Sequence, residues 1–173
     1  MDRTICVYGC HGSRSYFFQT TKAFLPDMLK NNSGHLVTIS SAAALGGTTG
    51  LCDYCASKFA AIGFNESLRN ELKSLGRDGV HTTVVCPYYI NTGMFDGVTT
   101  KFPFLLPILE PEYIVDKIME AVLTNQEMLL VPRILYIFNW FKSMVSPRCS
   151  DYLAGVLGIN NTMDMFVGRH KQQ

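Results

Sequence analysis

Three residues of this 173-residue chain can move a proton together: Ser41, Tyr54 and Lys58. Tyr54 and Lys58 stand four apart, so on a helix they share a face and can point into one site. That spacing bears on acid strength. A phenol titrates near pH ~10 unperturbed, too high for a base at neutrality, and a neighbouring ammonium favours the phenolate and lowers that value. Tyr54 can then exchange a proton with an alcohol or carbonyl. Ser41 precedes it on the chain, at the carboxyl end of a predicted strand, where its hydroxyl can hydrogen-bond the same substrate oxygen as charge develops there.

The elements that must position these residues are legible in the pattern. Leu36, Val37, Thr38 and Ile39 form a β-branched apolar run that predicts a strand delivering Ser40 and Ser41 to its end. AAALGGTTG reads as a flexible loop beside Ser41, and a long helix is predicted from about Asp53 to Leu75, with Phe64, Leu68, Leu72 and Leu75 on one face. Residues 16 to 30 place Phe17, Phe18, Thr21, Phe24, Leu25, Met28 and Leu29 at three-and-four spacing. They predict an apolar helix face, which Pro26 is expected to kink. Val80 to Cys86 reads as a second buried strand closed by Pro87. Pro111 opens a helix carrying Ile114, Val115, Ile118, Met119, Val122 and Leu123, and Met128 to Val131 forms a third short strand before Pro132. Strands alternating with helices imply an α/β protein with a parallel sheet covered on both faces.

Ser41 followed by Tyr54-Cys55-Ala56-Ser57-Lys58, after the strand at 36 to 40, resembles the short-chain dehydrogenase/reductases. The wording TTKAFLPDMLKNN before it and VVCPYYINTGMF after it is similar to their membrane-associated epidermal retinol dehydrogenase branch, and the resemblance covers about residues 19 to 173. It implies the C-terminal part of a doubly wound, Rossmann-like parallel sheet with flanking helices. Residues 1-18 are then an unmatched segment, 19-132 the catalytic part of the domain, and 133-173 a lid or membrane-interface segment. The implied activity is NAD-dependent interconversion of a lipophilic alcohol and its carbonyl, with NADP not excluded. All-trans-retinol and retinal are the expected pair, and a steroid is the alternative. Tyr54 is the implied general acid/base, Ser41 orients the substrate oxygen, and Lys58 lowers the Tyr54 pKa and holds the nicotinamide ribose. In PYYINT, Pro87 to Thr92, the threonine is the implied contact of the nicotinamide carboxamide. The implied cofactor contacts are therefore Tyr54, Lys58, Pro87 and Thr92; Tyr88 stands where the family often has glycine. The helices at 16-30 and 53-75 match those that commonly form the family's dimer interface, which implies a homo- or heterodimer. The implied location is the cytosolic face of the endoplasmic reticulum membrane or a lipid droplet, or the cytoplasm if the branch's N-terminal anchor is missing.

The resemblance is incomplete in one respect. A dinucleotide fold needs a glycine-rich turn after its first strand, because only glycine lets backbone approach a pyrophosphate at a helix N-terminus. No G-x-G-x-x-G occurs here. Gly46, Gly47 and Gly50 follow the catalytic strand, where the family has a substrate-side loop. The acidic ribose-reading residue and the Asn-Asn-Ala-Gly segment are also absent, and Ser13 falls where the family has a catalytic asparagine. The chain therefore reads as an alternatively started or truncated form whose sheet lacks four strands, leaving a strand edge and apolar faces uncovered. An inactive chain that pairs with a full-length relative is the second reading.

Composition narrows the rest. Lys and Arg total 15 against 14 acidic residues, a net charge of +1 that suggests no nucleic-acid partner. Six scattered cysteines suit reduced thiols facing cytosol. The first residues carry no signal peptide pattern, and no stretch reaches the ~18 apolar residues of a spanning helix. Cys52-x-x-Cys55 reads as packing, Cys6, Cys10 and His11 as coincidence, and no metal is expected. His35 and His81 are expected to flank strands as surface histidines. The Asn-x-Ser/Thr matches at Asn31, Asn65 and Asn160 are expected to stay bare. The aromatic segment 134-145, ILYIFNWFKSMV, with Arg133 and Lys142 at its margins, predicts a lid helix over the substrate pocket and a contact with a membrane surface.

Overall fold

The structure is a computed structural model that describes residues 16–92, 97–159 and 162. Its centre is a three-stranded parallel sheet of β1 (Gly34–Ile39), β2 (Val80–Pro87) and β3 (Met128–Val131), in that order. Gly34 pairs with Val80 and Val84 with Met128. Around it lie α1 (Tyr16–Asn31), α2 (Cys52–Ser74), α3 (Pro111–Leu123), α4 (Ile134–Met144) and α5 (Pro147–Val156), with a short 3₁₀ turn at Ala42–Ala44.

β2 is buried along nearly its whole length, Thr82 and Thr83 included, because both of its faces are covered. On one face Val85 packs with Leu129 and Val131 against Ile114 and Ala121 of α3. On the other, Val84, Cys86 and Leu130 meet Leu106, Leu135 and Phe138, so α4 closes this side of β2 and β3. Leu25 of α1, Leu68 and Leu72 of α2, and Val80 form the remaining cluster at the start of the sheet. Burial on the scale of Leu130, 1% exposed, is worth roughly 1.5–3 kcal/mol per side chain.

Two glycines are required by this packing. Gly76, at φ 63°, turns the chain out of α2, and a Cβ on Gly79 would overlap the Asn32 carbonyl where the two connections cross.

The predicted elements appear within a residue or two, with two differences. His35 and His81 do not flank strands: they lie inside β1 and β2 as an in-register pair, ring centroids 5.8 Å apart. The second difference is α5, which the pattern reading left within the lid segment. α1 holds Pro26 inside it and runs to Asn31. Asn65, by contrast, is buried in α2 and accepts a hydrogen bond from the Thr38 hydroxyl at 3.4 Å. Among the described residues β1 pairs on one side only, and its Val37 and Ile39 are 40% and 52% exposed, which agrees with an uncovered edge and face.

Candidate active site

The site forms where β1 and β2 end and α2 begins. Ser41 leaves β1 in extended backbone, φ −163° and ψ 158°, and caps the 3₁₀ turn by accepting the Ala43 N–H at 3.2 Å. Because that bond uses an oxygen lone pair, the Ser41 O–H is still able to donate. Tyr54 stands in the first turn of α2 and Lys58 one turn further on, both half-buried. The Lys58 ammonium is 5.5 Å from the centre of the Tyr54 ring and donates to the Ile39 carbonyl at 3.3 Å. Burial lowers the Lys58 pKa from its ordinary value, offset in part by Cys86.

Cys86, at the end of β2, has its thiol pushed up to about 11 by burial. Burial also raises Tyr88 and Tyr89, which follow Pro87; the Tyr89 hydroxyl pairs with the Thr162 hydroxyl at 3.0 Å.

These groups surround a cavity of about 450 Å³. Ser41, Tyr54, Lys58, Pro87 and Thr92, all picked out from sequence, line it together. Pro87 is buried and Thr92 sits exposed at the rim. The opposite wall is apolar, built by Leu106, Leu135, Phe138, Leu153, Leu157 and Ile159. α4 supplies part of this wall through Leu135, Phe138 and Phe141, and its Lys142 donates to the Leu45 carbonyl at 2.5 Å. Lys101 anchors the end of α5 by donating to the Val156 carbonyl at 3.0 Å.

Pattern reading missed the contributions of Tyr89, Ile90 and α5 to this wall. A signal for α5 was present in Ser146-Pro147, a capping residue followed by proline at the first helical position. Gly46 and Gly47 line the cavity, and a Cβ on Gly47 or Gly50 would meet open space. These glycines therefore do not form the close cradle that a pyrophosphate requires. Cys52 is exposed and Cys55 buried, both free thiols. Among the described residues no group of three His, Cys, Asp or Glu side chains could hold a metal ion. Cys6, Cys10, His11, Ser13 and Asn160 lie outside the described residues.

The architecture is that of solved dehydrogenases. A short chain dehydrogenase from Burkholderia cenocepacia, in complex with NADP, superposes with a TM-score of 0.63 at 22% identity, over 83% of this chain and 57% of that one. A short-chain dehydrogenase from Sphingobium yanoikuyae, in complex with NADPH, gives 0.58 at 19% identity, over 83% and 50%. Likeness at such identity establishes the fold.

The short chain dehydrogenase family profile matches residues 15–102, half of the chain, and spans all five cavity residues named from sequence. The chain belongs to the short-chain dehydrogenase family. It is 51% identical over 153 residues to the human protein epidermal retinol dehydrogenase 2, covering 88% of this chain and 50% of that protein. It is 44% identical to human retinol dehydrogenase 10, covering 99% and 50%. The chain thus spans about half the length of these relatives. No helix among the described residues is long and apolar enough to cross a membrane.

Proposed function

We propose that this chain carries the catalytic half of an oxidoreductase that interconverts a lipophilic alcohol and its carbonyl with NAD, the pair being all-trans-retinol and retinal. The observation that carries the reading is an apolar cavity whose polar end holds Ser41, Tyr54 and Lys58 within one helical turn and one strand end. Similarity to retinol dehydrogenases over most of the chain supports the retinoid among lipophilic alcohols; a steroid is the competing substrate.

The donor set at the cavity floor fits the nicotinamide and its ribose. Tyr54 and Lys58 would offer a hydroxyl and an ammonium to the ribose hydroxyls, and Pro87 and Thr92 would hold the carboxamide. The diphosphate finds no equivalent in these residues, because the loop glycines make no cradle. Bound NAD supplies the hydride acceptor. Every other role falls to side chains. The Tyr54 oxygen takes the alcohol proton as the carbonyl forms, and returns it in the reverse direction. The Lys58 ammonium stabilises the Tyr54 phenolate. The Ser41 O–H donates to the substrate oxygen and holds it within reach of Tyr54. The apolar wall from α4 and α5 excludes water and accepts the hydrocarbon.

The exposed aromatic side of α4, with Ile137 60% and Trp140 65% exposed, is proposed to lie against a membrane or lipid-droplet surface on the cytosolic side. α1 and α2 are proposed as a dimer interface. A second reading, in which the chain is an inactive dimer partner of a full-length relative, is proposed beside the first.

Tyr54→Phe decides the first reading. Turnover of all-trans-retinol with NAD is expected to fall by roughly 10²–10⁴, the usual contribution of a general acid/base. Equal turnover by the variant would sink it. A wild-type chain that turns over neither retinol nor a steroid with NAD or NADP, yet co-purifies with a co-expressed relative, favours the second.

A further inference from the structure

Two buried side chains at the cavity floor, Ser40 in its lining and Cys86 behind it, take no part in the chemistry above, yet they grip two residues that do. Ser40, directly before Ser41, is 3% exposed. Its N–H donates to the Val85 carbonyl at 2.7 Å, which keeps it in the sheet. Its hydroxyl donates to the Lys58 carbonyl at 2.9 Å, and the Lys58 ammonium returns to the neighbouring Ile39 carbonyl at 3.3 Å. Two adjacent strand residues thereby hold one helix residue by both its main chain and its side chain. Cys86 closes the arrangement from β2, its sulfur lying against the Ser40 hydroxyl and the Ser41 N–H.

Inside α2 the Lys58 carbonyl already accepts the amide four residues on, and a carbonyl has a second lone pair. The Ser40 bond is therefore not needed to satisfy that group. What it adds is direction. Nearest to that bond α2 is packed by the apolar Cys55 and Ala61, contacts that resist separation but do little against small slides along the helix axis, and the next polar tie to β1, Thr38 to Asn65, lies two turns further on at 3.4 Å. A misplacement of about 1 Å can cost about a hundredfold in rate, so such slides matter at this position.

We propose that Ser40 is a positioning residue: its hydroxyl, seated between the Cys86 sulfur and the Lys58 carbonyl, fixes the α2 turn carrying Tyr54 and Lys58 against the strand end carrying Ser41. This role rests on the reading of those three residues as the proton-transfer set. The Ser40 proton goes to the Lys58 carbonyl, and the Ser40 oxygen lies beside the Cys86 sulfur. Ser40 is thus a relay of orientation rather than a group that touches substrate.

The test needs neither cofactor nor turnover. Competitive acylation of the full chain across a pH series, read by mass spectrometry, gives the titration midpoint of Lys58 beside that of an exposed lysine such as Lys22. In Ser40→Ala the Lys58 midpoint is expected to rise by roughly half a pH unit or more, because a released ammonium regains water. Ser57→Ala, which removes an exposed hydroxyl bonded to the Tyr54 carbonyl at 2.7 Å within the same helix, is expected to leave it in place. Ser40→Cys keeps nearly the same volume with only a weak donor, and is expected to move the midpoint upward even where the alanine variant does not fold. An unchanged Lys58 midpoint in a folded Ser40 variant, whatever its melting temperature, overturns the proposal. Turnover is recorded on the same proteins. An inactive wild type with the Lys58 shift intact counts against the dehydrogenase reading and leaves the positioning role standing.

Discussion

Cys86 and Lys58 show how one environment sets two side chains. Lys58 lines the cavity and Cys86 lies behind it, and at both loss of water disfavours whichever form is charged: the thiol is pushed up to about 11 and the Lys58 pKa is lowered. At pH 8 a thiol titrating near 11 is about one part in a thousand thiolate, and the thiolate is the reactive form. Cys86 and the buried Cys55 are therefore expected to resist alkylation by iodoacetamide while the exposed Cys52 and Cys149 react within minutes. Peptide mapping of a timed alkylation series checks this, and early labelling of Cys86 would show that the cavity floor opens to water. The residue types and order of Ser41, Tyr54 and Lys58 were legible in sequence because a four-residue helical spacing is local geometry. The Ser40 contacts were not, since its hydroxyl reaches Lys58, 18 positions away on α2, and its neighbour Cys86 stands at the end of β2.

At the scale of elements, the pair of histidines across β1 and β2 sets a pH dependence. The Thr83 hydroxyl donates to the Gln126 carbonyl at 2.7 Å, so His35 must donate its Nε2–H to Thr83 at 2.8 Å. Burial and then the neighbouring His81 lower the His35 pKa below 6.5. A depressed histidine takes up its proton more readily in the unfolded chain, so its contribution is present above pH ~6.5 and lost as pH falls through the folded value. The melting temperature is expected to drop between pH 7.5 and pH 5, and to drop less in His81→Gln, where one of the two causes is gone. Thermal melts at half-unit steps check it; identical pH profiles for the two proteins would remove the pair as the cause. Sequence alone placed both residues at strand margins. Their facing arrangement follows from register, which is set when apolar faces of two distant strands are matched to the same core.

The whole molecule presents β1 with one free edge and an uncovered face among the described residues, where Val37 and Ile39 stand exposed. An unpaired edge with apolar side chains invites strand addition by another chain. Val37→Lys is expected to reduce self-association of the purified 173-residue chain, as read by light scattering at matched concentration. The same substitution leaves the cavity untouched, because Val37 lies outside its lining. Association that persists unchanged in the variant would place the contact elsewhere, with the exposed aromatic side of α4 as the next surface to alter.

Alternating strand and helix patterns, the Tyr-x-x-x-Lys spacing and the apolar 134-145 segment determined by themselves that this is an α/β chain in which Tyr54 and Lys58 share a helix face and 134-145 forms a helix. Each rests on periodicity within a few residues. Tertiary structure alone decided that Ser41, Tyr54, Lys58, Pro87 and Thr92 line one cavity, that α5 completes its wall, and that Ser40 and Cys86 brace its floor. Those outcomes depend on which strand ends meet and which apolar faces are buried against each other, and no local spacing encodes a contact made only when the sheet closes.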